Sequence, residues 1–455
     1  MADLIAMIIQ LYIILYCIED NSCMVMHLQD RSSAIRPVQK QGRVLSGVDL
    51  FLLWAGSAIA VDVWYSGGAI GSIGWTGGVA VILLGSFAGS AILAAAGVIG
   101  SDHGIPSMVS SRLAYGIKGS YLLSAINYLA LVGWTAWMIN INASAADRVG
   151  NILFGFEGPY IWIFVCGAAC TAMALIGANG WRRLSRVIVI ALIVTTVAIN
   201  WLLLTSGGLE GLSASPRQGM PLGVGFDLAL IIPLSWAPLA SDYSRFAKST
   251  KGAFLGSLFG QGTANAWFFV TGLACTIIIG SVDPTVYVTQ IGGPLFGFAA
   301  LFVIWVGTLT TTFLDIYSAN ISAINIFPKL KEWQGSAITG LLGTLLALMP
   351  WLSVFVDFLY IIGAVFAPSF AIVIADYFII RRRRIVIEEV YEQKRLGSFS
   401  GFSVPAMASW LFGILFYFLT KSLLEPVGSM LPTFAVTGAL YVTLKKCAGT
   451  RRLSG

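Results

Sequence analysis

The sequence predicts an all-α polytopic membrane protein with about twelve transmembrane helices, and three observations support this. Of the 455 residues, 57% are apolar and 11% are charged, whereas roughly a quarter of the residues of a soluble chain are charged. Apolar runs of about 20 residues, the length that a helix needs to cross a bilayer, recur along the whole chain. The 50 glycines are typical of helices that pack closely in lipid.

The apolar runs define twelve predicted spans, which we number in chain order. Residues 1–44 form an N-terminal extension and cytoplasmic segment, residues 45–395 form a core of spans one to ten with the loop that follows, and residues 396–455 form two C-terminal helices and a basic tail. The approximate bounds of the spans are 46–66, 75–100, 119–146, 158–180, 187–207, 225–246, 252–281, 294–326, 335–349, 351–380, 404–422 and 426–444.

Lysines and arginines predict the orientation of these spans. If the segment before span one is cytoplasmic, 24 of the 27 basic residues lie on the cytoplasmic side, and only Arg148, Arg217 and Lys421 lie outside. Cytoplasmic loops of membrane proteins carry such an excess. We therefore expect a multi-pass protein of the plasma membrane with residues 31–45 and the C-terminus in the cytoplasm. The net charge of +6 then reflects topology and does not indicate nucleic-acid binding.

The apolar run LIAMIIQLYIILYCI near the N-terminus does not fit this scheme. Its 15 residues are few for a spanning helix, and it lacks the basic segment that begins a signal peptide. It is an additional span, an interfacial helix, or an upstream extension read from a misjudged start codon. The last interpretation is favoured, with Met24 or Met26 as later starts.

Composition and motifs also exclude several classes of function. No Walker-type phosphate loop is present, which argues against ATP-driven transport. The two histidines and six cysteines show no metal-ligand spacing. The sequence also shows no nucleophile–base pair of the kind that an enzyme would need. A channel would show rings of charged or carbonyl groups along a pore, and the sequence shows no such pattern. The sequence thus predicts a secondary transporter without a cofactor or an obligatory protein partner, and a channel or membrane enzyme is the alternative from a different class.

Spans one and six both carry signs of an interrupted helix. Span one combines Gly56 and Ser57 with Asp62, a carboxylate whose burial in a membrane costs at least about 2.5–3.5 kcal/mol. In span six, Pro233 and Pro238 each remove a backbone donor on either side of Ser235 and Trp236, which become candidate substrate contacts. Broken helices five spans apart are typical of transporters built from inverted repeats. The alternative for span one is a kinked helix in which a neighbouring helix hydrogen-bonds Asp62.

Polar and aromatic side chains in spans three and eight complete the candidate site. Gly307, Thr310 and Thr311 share one helical face by their spacing, and Asp315 extends that face by one turn. Such hydroxyls can bind a hard cation, although hydrogen bonds from threonine to its own helix explain many threonines in membranes. Trp134 lies in the middle of span three, where its indole can stack on a flat ligand or pack in the core.

Five segments together resemble the nucleobase–cation symporter family 1, and the resemblance runs from about Leu45 to the C-terminus. The segments are SRLAYGIKGSY (111–121), LVGW in span three, PLASDYSRF in span six, the threonine run of span eight, and IADYFIIRRRR (374–384). Within this family, DLFLLWAGSAIAVDVW (49–64) and TTTFLDIYSA (310–319) are most similar to the branch that transports hydroxymethylpyrimidine, the thiamine precursor.

The resemblance implies a leucine-transporter-type fold, with two inverted five-helix repeats and two further C-terminal helices. It also implies import that is driven by a cation gradient, usually of sodium and sometimes of protons. The expected sodium ligands are the carbonyl groups of Gly56, Ile59 and Gly307 and the hydroxyl groups of Thr310 and Thr311. A shift by one residue, to Ala55 and Ala58, remains open on the first helix.

The resemblance further implies that Trp134 stacks on the substrate. The second stacking aromatic of the family falls near Ile232 in this sequence, so Trp236 replaces it or this wall is aliphatic. The asparagine that reads a base edge in cytosine carriers appears here as Thr312, which weakens a cytosine assignment.

The two intramembrane carboxylates then predict the kind of substrate. Asp62 and Asp315 can accept hydrogen bonds from the exocyclic amine of a 4-aminopyrimidine, and the leading substrate is hydroxymethylpyrimidine. Cytosine, another nucleobase or allantoin is the alternative within the family. Asp242 and Arg245 lie near the cytoplasmic end of span six, and we interpret them as an intracellular gate or structural pair without substrate contact.

Overall fold

The computed structural model describes residues 36–176, 178–205, 211–212, 219–327, 329–391 and 401–453, and nearly all regular structure in these ranges is helical. The apolar run near the N-terminus precedes residue 36 and lies outside the described residues, as does Arg217. A single isolated bridge pairs Leu45 with Ala247, so the chain entering span one lies beside the chain leaving span six.

Spans one to five correspond to six helices, because span one is divided. Span three lengthens to a single element that bends at Gly116, where φ is 78°. The helices are α1 (Gly47–Ala58), α2 (Val61–Ala69), α3 (Trp75–His103), α4 (Ser107–Phe154), α5 (Pro159–Ile176) and α6 (Ala178–Thr205).

The second half of the chain repeats this pattern, with span six divided in turn. A short helix lies between spans seven and eight, and another follows span ten. The helices are α7 (Leu222–Ser235), α8 (Ala240–Ser244), α9 (Thr250–Ile279), α10 (Pro284–Gln290), α11 (Gly293–Ile326), α12 (Glu332–Leu346), α13 (Trp351–Ala375), α14 (Ile387–Tyr391), α15 (Val404–Thr420) and α16 (Met430–Leu453).

Each of the twelve predicted spans thus has a helix in the described part of the chain. Eight spans there are long and apolar enough to cross a membrane on their own, and the divided span one is a ninth when its two halves are taken together. The helices α12, α15 and α16, at spans nine, eleven and twelve, are shorter or less apolar.

Both predicted interruptions are present. The two halves of span one meet at an angle of 62°, because Ile59 (ψ 74°) and Ala60 (φ −145°, ψ 155°) leave the helical conformation. In span six, α7 ends at Ser235, Trp236 follows, and a 3₁₀ turn over Ala237–Leu239 leads into α8. Pro238 lies inside this turn, where its missing N–H removes a helical hydrogen bond.

The helices form two groups, and each group combines helices from both predicted repeats. In one group, α9 packs against α1, α2 and α3, and α7 packs against α3; in the other, α4 packs against α5, α11 and α12. Spans one and two thus associate with spans six and seven, and spans three and four with spans eight and nine. Because five crossings reverse the direction of a chain through the membrane, the second repeat is inverted relative to the first.

Glycines bring α9 into direct backbone contact with both halves of span one. A Cβ atom at Gly260 would lie 2.2 Å from the carbonyl oxygen of Phe51 in α1, and one at Gly272 would lie 1.9 Å from that of Trp64 in α2. No side chain fits at these distances, so glycine is required at both positions. The unbroken α9 therefore supports the two halves of the broken span.

A buried carboxylate attaches the C-terminal helices to the core. Asp227 of α7 accepts hydrogen bonds from the backbone N–H groups of Ser429 (2.6 Å) and Met430 (3.2 Å) at the start of α16. The first N–H groups of a helix have no partner within it, and a negative charge there is stabilised by the helix dipole. Asp227 thus caps α16 from another helix.

We predict that Asp227→Asn lowers the free energy of unfolding by about 1–3 kcal/mol, because the new amide turns a donor toward one of the two N–H groups. Thermal unfolding of the purified protein in detergent measures this. The matched control is Asp357→Asn, because Asp357 is an exposed carboxylate. We expect this variant to have the melting temperature of the wild type. Equal melting temperatures for all three proteins would contradict the capping role.

Candidate substrate and cation site

The two helix breaks and the two groups of helices meet at one cavity. The space between protein atoms at this cavity is about 410 Å³, including space that is open to solvent. The break in span one contributes Ser57 and Ala60, and the break in span six contributes Ser235 and Trp236. The opposite wall comes from α4 and α11. The site therefore lies between the two groups of helices, and both repeats contribute to it.

Five of the six candidate substrate residues line this cavity: Asp62, Trp134, Ser235, Trp236 and Asp315. The sixth, Thr312, does not line it. Thr312 is fully buried, and its hydroxyl group donates to the carbonyl oxygen of Thr308 at 2.7 Å. One residue along a helix is a rotation of about 100°, so Thr312 leaves the face that Thr311 and Asp315 share and cannot contact a ligand in this arrangement.

The two carboxylates are buried and incompletely hydrogen-bonded. Asp62 is 5% exposed and Asp315 is 6% exposed, and within the described residues Oδ1 of Asp62 and Oδ2 of Asp315 have no hydrogen-bond partner. Asp62 lies in the first turn of α2, against the backbone N–H groups of its own turn. No described residue of a neighbouring helix hydrogen-bonds Oδ1 of Asp62, so the alternative in which a neighbouring helix satisfies Asp62 is not seen for this atom.

The tryptophans of span three have different environments. Trp134 lines the cavity, with Phe355 and Phe358 of α13 each 5.7 Å away in edge contacts. Trp137 is fully buried and stacks on Phe355 at 3.9 Å, so it belongs to the core. Trp134 lines the cavity, and Trp137, about one helical turn further along α4, packs in the core.

Of the two span-six positions considered for a second stacking residue, Trp236 lines the cavity and Ile232 does not. Ile232 is buried within α7 and does not line the cavity. Trp236 lies in the break after α7, and its ring packs edge-on against Trp54 of α1 at 6.2 Å. Two indoles thus line the cavity, one from α4 and one from the break in span six.

Of the candidate cation ligands, Thr311 lines the cavity to which the break in span one also contributes. Gly56 is in the last turn of α1, whose final carbonyl groups have no further helical turn to bond them. Thr311 lines the cavity and donates its hydroxyl proton to the carbonyl oxygen of Gly307 at 3.3 Å. Gly307 itself faces Ile188 of α6. The side chain of Thr310 lies outside the described part of the structure.

Asp242 and Arg245 lie away from the cavity. The carboxylate of Asp242 accepts the backbone N–H of Ser107 at 2.9 Å, and Arg245 Nε donates to the backbone oxygen of Asp242 at 3.2 Å. Ser107 begins α4, so this cluster connects the end of span six with the start of span three.

Sequence reasoning missed part of the lining. Ser57, Leu131, Met138 and Leu239 also face the cavity. Behind Ser57, the amide of Gln261 in α9 lies 2.8 Å from the serine hydroxyl, and its Nε2 is buried without a partner. The position of Ser57 between Gly56 and Ile59 was a usable signal, whereas Gln261 is 204 residues away in the chain.

Comparison with known proteins agrees with this architecture. Among curated relatives, a hydantoin permease of Microbacterium maritypicum is 25% identical over 71% of each chain. The cytosine permease of Escherichia coli (strain K12) is 28% identical over 70% of this chain and 75% of its own. A purine-uracil permease of Arabidopsis thaliana is 27% identical over 84% of this chain and 70% of its own.

Solved structures show the same fold. Mhp1 in an inward-facing conformation superimposes with a TM-score of 0.78 at 20% identity, covering 91% of this chain and 94% of Mhp1. A sodium-coupled sialic acid symporter gives a TM-score of 0.58 at 12% identity, covering 95% and 96%. The predicted all-α fold with inverted repeats of the leucine-transporter type is therefore confirmed.

A sequence model of permeases for cytosine/purines, uracil, thiamine and allantoin matches residues 37–441. The match covers both helix breaks, the cavity and nearly the whole core. The chain is thus a multi-pass membrane transporter and belongs to the nucleobase–cation symporter family 1.

Proposed function

We propose that this protein imports a small aminopyrimidine, with hydroxymethylpyrimidine as the leading substrate, by sodium-coupled alternating access across the plasma membrane. Residues 31–45 and the C-terminus face the cytoplasm in this proposal, as the distribution of basic residues favours. Membership in a family of permeases supports the transport of a nucleobase-like compound. The choice of substrate and of ion rests on the side chains of the cavity.

The observation that carries the proposal is the combination of two indoles and two carboxylates around one cavity. Trp134 and Trp236 line it from α4 and from the break in span six, so a flat ring can lie against their faces. Asp62 and Asp315 each offer a buried oxygen that has no hydrogen-bond partner among the described residues. The exocyclic amine of an aminopyrimidine supplies N–H groups for these oxygens, and its ring supplies the flat surface.

We place the coupling ion beside the break in span one. Its ligands in this proposal are the carbonyl groups of Gly56, Ile59 and Gly307 and the hydroxyl groups of Thr310 and Thr311. Oxygen-only ligands suit a hard cation, and Thr311 reaches the cavity to which the break also contributes. Ion and substrate would then occupy neighbouring positions.

A second candidate substrate is cytosine, which the cytosine permease among the relatives favours. Cytosine carries the same 4-amino group, so the carboxylates would serve it in the same way. Another nucleobase or allantoin is possible within the same family.

Uptake into proteoliposomes distinguishes these possibilities. We expect radiolabelled hydroxymethylpyrimidine to accumulate only with an inward sodium gradient, and cytosine, allantoin and hydantoin to compete less well. Accumulation that is driven by a proton gradient alone would overturn sodium coupling. Stronger competition by cytosine would transfer the assignment to the second candidate.

We predict that Asp62→Asn weakens the affinity for the aminopyrimidine by about 10- to 100-fold, because an N–H donor takes the place of one of the two acceptor oxygens in a dry site. Binding to the purified protein measures this, and the melting temperature shows whether the variant is folded. Unchanged affinity in a folded variant would mean that Asp62 has a structural role only.

We predict that Thr311→Ala raises the sodium concentration for half-maximal uptake by about tenfold, equivalent to about 1.4 kcal/mol, because one ion ligand is lost. The matched control is Thr308→Ala. Thr308 is a buried threonine of the same helix that donates to the carbonyl oxygen of Ile304 at 2.7 Å and does not line the cavity. If both variants depend on sodium as the wild type does, the ion site is misplaced or the coupling ion is the proton.

A further inference from the structure

The end of span ten carries a run of four arginines (381–384) whose backbone is strained. A π-helical turn over Asp376–Ile380 follows α13, and such turns are frequent at functional sites. Beyond it, Arg382 (φ 52°) and Arg383 (φ 63°) lie in the left-handed region, which residues with a Cβ atom rarely adopt. Strained backbone of this kind persists only where contacts with the rest of the protein hold it.

One set of contacts is centred on Asp102, in the last turn of α3. Arg383 binds its carboxylate with two hydrogen bonds, from Nε at 3.0 Å and from Nη2 at 2.9 Å. The hydroxyl group of Thr250, at the start of α9, donates to the same carboxylate at 2.6 Å, and the hydroxyl group of Tyr377 also donates to it. An ionised carboxylate has about four lone-pair sites. Donors from α9 and from the end of span ten therefore fill the acceptor capacity of Asp102.

The same segment is attached to the other group of helices. Nη2 of Arg381 donates to the carbonyl oxygen of Leu113 in α4 at 2.9 Å, and its Nε donates to Asp376 at 2.6 Å. Tyr441 of α16 donates to the other oxygen of Asp376 at 2.6 Å. The helices α3 and α9 belong to one group and α4 to the other. The end of span ten thus connects both groups, beside the loop that joins α3 to α4.

We propose that Asp102, Tyr377, Arg381 and Arg383 form a latch that holds the two groups of helices together on this side of the cavity. The latch releases when the cavity opens to this side. The inference rests on the alternating access of the proposed function, in which this side is the cytoplasm. Because the cavity lies between the two groups, a connection between them opposes its opening here. Release of Arg383 from Asp102 also lets the arginine backbone leave the left-handed region, so strain favours release.

The test is the rate at which a membrane-impermeant maleimide labels the Leu239→Cys variant at position 239, read by peptide mass spectrometry. Leu239 lines the cavity just after the break in span six. The next helix, α8, contacts the end of α3 through Ser241 and Gly100, so position 239 lies on the latch side of the break. Cys447 is the internal reference, because it is exposed and lies beyond Tyr441 in α16. Vesicles in which the reagent labels Cys447 present the latch side to the reagent.

In these vesicles, without sodium or ligand, we expect Asp102→Asn and Arg383→Gln to be labelled about three- to tenfold faster at position 239 than the Leu239→Cys parent. Loss of a half-exposed ion pair shifts the population toward the open state by a modest factor. The double variant should add little to Asp102→Asn, because both changes remove the same pair. The matched control is Arg382→Gln. Arg382 is an exposed arginine next to the latch, and we expect this variant to keep the parent rate.

Parent rates in both latch variants would overturn the inference. Equal acceleration by Arg382→Gln would overturn it as well, as would acceleration only in vesicles in which Cys447 is protected. Melting temperatures show which variants are folded. If Asp102→Asn does not fold, Arg383→Gln decides alone, because the side chain of Arg383 is 50% exposed and its loss leaves the core intact.

Labelling requires neither substrate nor coupling ion, so its failure and the failure of the proposed function are distinguishable. Faster labelling in a protein that takes up no pyrimidine would support the latch and refute the substrate assignment. Uptake as proposed with unchanged labelling would support the transport proposal and overturn the latch. If Cys447 is labelled in right-side-out vesicles, the proposed orientation is wrong, and the rates at position 239 still decide whether the latch exists.

Discussion

The interruption of span one is the constraint on which the rest of the structure depends. Backbone N–H and C=O groups at membrane depth need partners, so non-helical backbone is tolerated there only against protein or a polar cavity. The chain leaves the helix at Ile59 and Ala60, and the cavity begins at Ser57 and Ala60. The site lies at this depth because the break lies there, and the carboxylate of Asp62 meets the freed N–H groups at the start of α2.

The break is stable because another helix bridges it. The unbroken α9 runs past both halves of span one, with Gly260 against α1 and Gly272 against α2 at distances that admit no side chain. The same helix brings Gln261 to Ser57. The helix α9 therefore both supports the broken span and positions a side chain of the cavity. A change in the packing of α9 would alter the site even though α9 does not line the cavity.

The sequence was informative where chemistry departs from a uniform apolar background. Prolines, glycines and carboxylates within spans one and six predicted both breaks, and the hydropathy of the spans predicted all twelve helices. The sequence was uninformative where the rotation of a helix about its axis decides which side chains face the cavity. Trp134 and Trp137 both lie in the middle of span three, yet Trp134 lines the cavity and Trp137 packs on Phe355. Likewise, Thr311 lines the cavity and the adjacent Thr312 does not. Such differences depend on neighbours from distant helices, as does the contact of Ser57 with Gln261.

The arrangement also gives a physical reason for coupling ion to substrate. In the proposed site, Thr311 binds the ion and Asp315 binds the ligand, and the two residues lie one turn apart on the same face of α11. A cation near two carboxylates in a medium of low dielectric interacts with them far more strongly than in water, so its arrival reduces their mutual repulsion and favours ligand binding. Because such coupling is reciprocal, the ligand favours the ion equally. Cotransport then follows from two occupants that share one acidic cavity, and it requires no signal between distant sites.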